Sequence, residues 1–225
     1  MTAINMPSAC DALTTTGVWE DIHPADATDT TSVVVDPFDS AIVWAAGSHK
    51  GFFKSTDCGA SWTKISTGTN ASIINNGSGW SVAIDPVDQG TIYLVGAYGA
   101  LGLWKSTNGG VDFTQVFTPD TEFAQVASEN FVNNISMDPN NHLHLVVMEH
   151  GTCTGYSPDC EAESTDGGDS WKLTATPQGW GEGGGLYLIN ATTWVWGGSE
   201  GSTGTYVTTN NGSSWTKASN ESANG

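Results

Sequence analysis

Two glutamates and a histidine are the residues best suited to do chemistry in this chain. Glu149 and His150 close the apolar run HLHLVVMEH, and Glu182 sits in the glycine-rich stretch WGEGGG. Cleaving a glycosidic bond needs an acid and a base or nucleophile facing each other across it, and a flexible loop can bring one of them in. A solvated strand end and a glycine turn explain the same three residues without chemistry, so no catalytic residue is assigned. Trp80 and Trp180 are candidate ligand contacts, because an exposed indole can stack its apolar face on a sugar ring. Packing between sheets is the competing role. His142 and His144 alternate in HLHL, which on a regular strand puts both on one side. Two histidines could begin a metal site, but no third ligand is identifiable, so neither a metal nor a cofactor is expected.

The cysteines and asparagines carry weaker signals. Cys153 and Cys160 bracket TGYSPD, a turn-rich loop that favours a local disulfide, whereas the pairing of Cys10 and Cys58 stays open. Six Asn-X-Ser/Thr triplets, at Asn70, Asn76, Asn134, Asn190, Asn211 and Asn220, are compatible with glycosylation of a secreted protein.

Charge narrows the partners. Six Lys plus Arg against 24 Asp plus Glu give a formal charge of −18 over 225 residues. Such a surface repels phosphate backbones and anionic lipid, so nucleic acid is a poor partner. No run approaches about eighteen consecutive apolar residues, so no helix is expected to span a membrane. The opening MTAINMPSAC has neither a basic region nor an apolar run, so a targeting segment is not expected within it.

The elements that must position these residues are legible as a repeat. The pattern Ser/Thr-X-Asp/Asn-X-Gly-X-X-Trp/Phe occurs as STDCGASW (Ser55, Asp57, Gly59, Trp62), STNGGVDF (Ser106, Asn108, Gly110, Phe113), STDGGDSW (Ser164, Asp166, Gly168, Trp171) and TTNNGSSW (Thr208, Asn210, Gly212, Trp215). The third-position residues lie 51, 58 and 44 residues apart. Asp36-Pro37, Asp85-Pro86 and Asp138-Pro139 precede three copies as turn residues, and Asn190 stands at about that place in the fourth unit. Each unit reads as four β-branched and aromatic runs separated by Gly, Asp, Asn and Pro. Four antiparallel strands recurring with a period in the forties to fifties are the signature of β-propeller blades. The short polar side chain fixes a turn, the Gly supplies positive φ, and the aromatic anchors the hairpin between sheets. The expected fold is all-β: a single propeller domain or a propeller fragment over 1–225, with blades at about 30–66, 79–118, 131–175 and 184–219. Innermost strands are expected at about 32–35, 81–84, 133–137 and 185–189. Trp62, Trp171 and Trp215 are expected in the core, with Trp44, Trp104, Trp194 and Trp196 packing the blades.

The four phrases resemble the Asp-box (BNR) repeat, and the wording DP…GLWKSTNGG and DP…ESTDGG is most similar to its xyloglucanase and sortilin variety. The resemblance covers about residues 17–218. It implies a propeller in which the box is structural and lies away from the active centre. It also implies that hydrolases of this kind place carboxylates near the starts of the innermost strands. Here those places hold Ser32, Ser81, Asn133 and Asn134, none of them ionisable.

Two function classes follow. The main expectation is a secreted, non-catalytic module that binds a glycan or an extracellular protein, or builds a surface assembly. The alternative is part of a glycoside hydrolase, xyloglucanase- or sialidase-like, whose carboxylates lie partly outside this chain. Residues 18–22 (VWEDI) read as the fourth strand of an earlier blade, with no box before them. Four blades and an orphan strand leave faces and edges to cover, so self-association or further blades of a longer chain are expected.

Overall fold

The computed structural model describes residues 10, 21–27, 29–117, 131–150, 160–176, 185–198 and 204–219. They form four separate antiparallel sheets of four strands each, paired in sequence order. Blade 1 holds β1 (Thr30–Val35), β2 (Val43–Gly47), β3 (Gly51–Ser55) and β4 (Thr63–Lys64). After a short helix, α1 (Ala71–Ile74), blade 2 holds β5 (Gly79–Ile84), β6 (Ile92–Gly96), β7 (Gly102–Ser106) and β8 (Thr114–Phe117). Blade 3 holds β9 (Phe131–Asp138), β10 (Asn141–His150), β11 (Cys160–Ser164) and β12 (Lys172–Ala175). Blade 4 holds β13 (Gly185–Leu188), β14 (Trp194–Gly198), β15 (Gly204–Thr208) and β16 (Thr216–Ser219). The first strands β1, β5, β9 and β13 pack side by side in that order, which makes the four sheets consecutive blades of a β-propeller.

Two local devices repeat and explain why the strands start and stop where they do. At the β1–β2 type of turn, a carboxylate or amide oxygen caps backbone N–H groups. Asp36 Oδ1 accepts from Phe38 and Asp39, Asp85 Oδ1 from Val87 and Asp88, and Asp138 Oδ1 from Asn140. Asn190 Oδ1 does the same for Thr192 and Thr193, both at 3.0 Å. At the β3–β4 type of turn, the eight-residue phrase closes a clasp. The hydroxyl oxygens of Ser55, Ser106, Ser164 and Thr208 accept from the N–H of Gly59, Gly110, Gly168 and Gly212 at 2.8, 3.0, 2.8 and 3.2 Å. The Oδ1 atoms of Asp57, Asn108, Asp166 and Asn210 accept from the N–H four residues on, at 2.8 to 3.0 Å. The four glycines sit at φ 90, 90, 92 and 73°, a region closed to most side chains. The hydroxyl of Ser170 holds the Asp166 carboxyl down at a pKa of about 2, and that of Ser61 lowers Asp57 in the same way.

The core lies in the seams between blades. Trp44, Phe52, Leu94 and Trp104 fill the seam of blades 1 and 2, Tyr93, Leu103, Leu145 and Val147 that of blades 2 and 3, and Met148, Leu186, Trp194 and Trp196 that of blades 3 and 4. Each fully buried side chain of this size stabilises the fold by roughly 1.5–3 kcal/mol. Trp44, Trp104, Trp194 and Trp196 are buried as expected. The clasp aromatics differ from expectation. Phe113 is buried, but Trp62, Trp171 and Trp215 are half-buried. Trp171 and Trp215 pack beside seam clusters and Trp62 beside Ala27, Ala45 and Phe53, and Trp171 reaches back to donate its indole N–H to Val116 in the outermost strand of blade 2, at the rim of the fold.

One disulfide joins Cys10 to Cys58, with Cα atoms 5.6 Å apart, and settles the pairing the sequence left open. Cys160 is buried and disulfide-bonded, while Cys153 lies outside the described residues. No helix among the described residues is long and apolar enough to cross a membrane.

Candidate functional site

Strand pairing defines the mouth. Thr30 is opposite Gly47, and Gly79 opposite Gly96, so the starts of the innermost strands share one end of the fold with the β2–β3 and β6–β7 turns. The connection carrying α1 returns to this end and is tied to both turns. Gly51 N–H donates to Gly77 O at 2.6 Å, Ser78 N–H to Tyr98 O at 2.8 Å, and Ala97 N–H to Ser78 O at 2.9 Å.

His49 and Tyr98 project from those two turns. The imidazole lies against the phenol ring with centroids 6.2 Å apart and planes 21° from parallel. Both rings are exposed, Tyr98 by 54%. His49 Nδ1 is 3.0 Å from the hydroxyl oxygen of buried Ser78, which also accepts the His49 N–H at 3.1 Å. His49 adopts φ 57°, uncommon for a non-glycine residue, and Ser78 holds it there. The result is a fixed aromatic ledge on the rim, suited to stacking on the apolar face of a pyranose ring. Sequence reasoning missed it because SHK and GAYG look like ordinary turns, and only the fold sets them side by side.

The uncharged residues at the strand starts are structural staples. Thr31 donates its hydroxyl to Gly79 O at 2.8 Å. Trp80 packs on the seam of blades 2 and 3, and its indole N–H donates to Asn133 Oδ1 at 2.8 Å, so the structure favours its seam role over ligand contact. Asn134 donates its amide to Leu186 O at 2.7 Å and accepts the Leu186 N–H at 3.1 Å, which engages the nitrogen a glycan would need. Ser136 accepts the Leu188 N–H at 2.9 Å.

Of the two candidate acids, Glu149 is the one among the described residues. Glu149 is the next-to-last residue of β10, opposite Val132, and is wholly buried. His150 lies opposite Phe131, and nothing is described of its side chain. Trp180, Glu182 and Asn220 lie outside the described residues. Among the other triplets, Asn70 donates to Phe113 O at 2.8 Å and Asn76 to Ser72 O at 2.8 Å, whereas Asn190 is a turn cap and Asn211 an exposed turn residue.

His142 and His144 part company, against expectation. A register shift between Asn141 and Leu145 breaks the alternation. His142 Nδ1 reaches Asp85 Oδ2 of blade 2 at 2.7 Å, while His144 sits between Asp138 Oδ2 at 3.3 Å and Glu163 Oε1 at 2.9 Å, its ring against Trp194 of blade 4. Glu163 raises the pKa of His144, with Asp138 adding to the effect. Glu161, two residues before Glu163, is 1% exposed, and burial lifts its pKa to about 8. A protonated acid at neutral pH is a familiar catalytic feature, but Glu161 is sealed in the seam beside Trp194 and Gly212, out of reach of a polymer. A signal was present in the repeat: the equivalent third-strand positions are Phe52 and Leu103. Among the described residues no group of three or more His, Cys, Asp or Glu converges to hold a metal ion.

Comparison with known proteins agrees with the architecture. No protein-family model matches the chain. A xyloglucanase of Hypocrea jecorina (strain QM6a) is 28% identical over 135 residues, covering 55% of this chain and 16% of that enzyme. The chain therefore spans about a sixth of the length of this curated relative. An ancestral GH74 enzyme superposes with a TM-score of 0.64 at 24% identity, over 90% of this chain and 25% of that one. The GH74 enzyme of Niastella koreensis gives 0.59 at 23% identity, over 83% and 29%.

Proposed function

We propose that these four blades form part of a secreted glycoside hydrolase of the xyloglucanase type, and that they hold a neutral, branched glucan such as xyloglucan across the mouth. The observation that carries the reading is the exposed His49–Tyr98 ledge, fixed by Ser78 at the end where the innermost strands begin. The similarity to a xyloglucanase supports the substrate class. A charge of −18 favours a neutral polysaccharide over an anionic one. The eight-residue clasps are Asp-boxes in this reading and serve structure at the opposite end of the blades.

The acids divide between this chain and the rest of the enzyme. The strand starts carry staples in place of carboxylates and Glu149 is wholly buried, so hydrolysis here rests on Glu182 together with carboxylates on blades outside this sequence. Binding is tested by calorimetric titration of xyloglucan oligosaccharides. Tyr98→Ala and His49→Ala are expected to weaken binding at least tenfold with unchanged melting temperature, and unchanged affinity in both variants would refute the ledge. Glu182→Gln is expected to abolish any release of reducing sugar. One observation favours a second reading, a binding module without turnover: the side chains at the strand starts are spent on neighbouring blades. Binding without hydrolysis in the unaltered protein would establish that reading.

A further inference from the structure

Under the clasp glycine of blades 2, 3 and 4 lies a side chain of the preceding blade. A Cβ added to Gly110 would meet the Trp44 ring at 3.1 Å, and one added to Gly168 the Tyr93 ring at 3.7 Å. Under Gly212 lies Glu161 instead, with its Oε1 where a Cβ would go. Strand register shows why. Trp44 and Tyr93 pair with Lys54 and Lys105, and the residue that pairs with the equivalent Glu163 is Val146, which lacks the ring that fills the other two places. Glu161 comes from β11, at the position that Phe52 and Leu103 hold in blades 1 and 2, and puts a carboxyl group under the clasp of blade 4.

The surroundings accept the acid and penalise its anion. Glu161 is 1% exposed and its Oε2 has no hydrogen-bond partner. Burial first, and the nearby Glu163 charge second, lift its pKa to about 8. The neighbouring elements offer no relief. β10 sets Met148 opposite Glu161, with Glu149 next in the strand, and its His144 is engaged by Asp138 and Glu163. β12 sets Thr174 opposite Glu161 and Lys172 opposite Glu163. In blade 4 the clasp at 208–215 and β14 carry no titratable side chain, while β15 and β16 hold Tyr206 and Lys217, the ammonium 5.6 Å from the ring centre. Among the described residues no cation acts on Glu161. The inner half of the same seam is held separately. Asn134 makes two bonds to Leu186, Ser136 accepts the Leu188 N–H, and Met148, Trp194 and Trp196 are buried there.

We propose that Glu161 is a proton-operated latch for blade 4: with its proton on, the clasp closes over it, and with the proton lost to solvent, the clasp and strands β15 and β16 come away from blade 3 while β13 stays docked. An ionised carboxylate without a partner gains water by leaving the seam, and the clasp above it is the part that must move. The seams of blades 1 and 2 and of blades 2 and 3 hold rings at that place and do not respond. His144 changes protonation in the same direction, but its bonds are to Asp138 and Glu163 of its own blade, so undocking blade 4 leaves them in place. This inference goes beyond the glycan reading and stands without it.

The test follows amide exchange of the chain at pH 5 and pH 8, each rate divided by that of an unstructured peptide at the same pH. A closed-state pKa of about 8 against 4.5 in water weakens closing about tenfold per pH unit between them. Protection of residues 204–219 is therefore expected to fall at least about a hundredfold more than that of residues 102–117. Glu161→Gln cannot lose the proton, and Glu161→Leu installs the side chain that blade 2 carries at Leu103. In both variants the two regions should change together, within about threefold. Equal loss of protection in blades 2 and 4 of the unaltered chain, no loss in either, or the same blade 4 loss in the unaltered chain and in Glu161→Gln would overturn the proposal. The comparison of the two blades in the unaltered chain decides the matter where a variant fails to fold.

Discussion

Neutralising Glu161 permanently should flatten the pH dependence of stability. The carboxyl is buried between blades 3 and 4, its Oε2 has no hydrogen-bond partner, and its pKa stands near 8 against 4.5 in the unfolded chain. The charged group acting on it is Glu163 on its own strand, which itself contacts His144 of β10, backed by Asp138, and lies opposite Lys172 of β12. Between these two pKa values the native state keeps a proton that the unfolded state has lost. Stability is therefore fully present below about pH 4.5, falls as pH rises, and finishes falling above about pH 8. At about 1.4 kcal/mol per unit, the loss between pH 5 and pH 8 comes to roughly 3–4 kcal/mol. His144, also raised, pushes in the same direction, with stability present below its ordinary value and lost as pH climbs past it. Glu161→Gln keeps the shape and removes the proton, so its denaturant-unfolding free energy should change by roughly 3 kcal/mol less than wild type over that range. The slope is the readout, because the new amide donors also lack partners and shift both ends alike. Parallel curves for the two proteins would refute the assignment of Glu161 as a buried, protonated acid.

Three other changes probe the architecture. Asn134→Ala removes both hydrogen bonds to Leu186 and should lower unfolding free energy by about 2 kcal/mol, with no glycan lost from that residue on mass analysis. Ser106→Ala opens the second clasp, leaving the buried Gly110 N–H unpaired. About 1–2 kcal/mol should be lost in thermal unfolding, with chain compactness retained in scattering. Cys58→Ser releases a 48-residue closure, and chain entropy assigns it about 4 kcal/mol, read as a drop in denaturation midpoint, with a larger drop in reduced wild type, where the Cys160 disulfide is lost as well.

What could be read from the sequence was local. Ser55, Asp57 and Gly59 fix their turn through atoms two to four residues apart, so the phrase carries its own geometry, and Asn190 reads as a cap for the same reason. What could not be read depends on which chain segments meet. The disulfide of Cys10 needs the path of the leading segment, the ledge needs two turns from different blades, and the split of His142 from His144 needs a register shift. The helix α1 was also not foreseen; it is four residues entered through Asn70 at φ 64° inside a connection that looks like loop. Glu161 and Glu163 were hidden among plain strand residues, because burial by blade 4 gives them their character.

Glycan recognition at the mouth is tested most directly by amide exchange mass spectrometry of the chain with and without a xyloglucan oligosaccharide. Protection confined to residues 48–50, 76–80 and 97–100 is the predicted result. Protection over the clasp turns at 55–62, 106–113, 164–171 and 208–215, or none anywhere at saturating sugar, would contradict it.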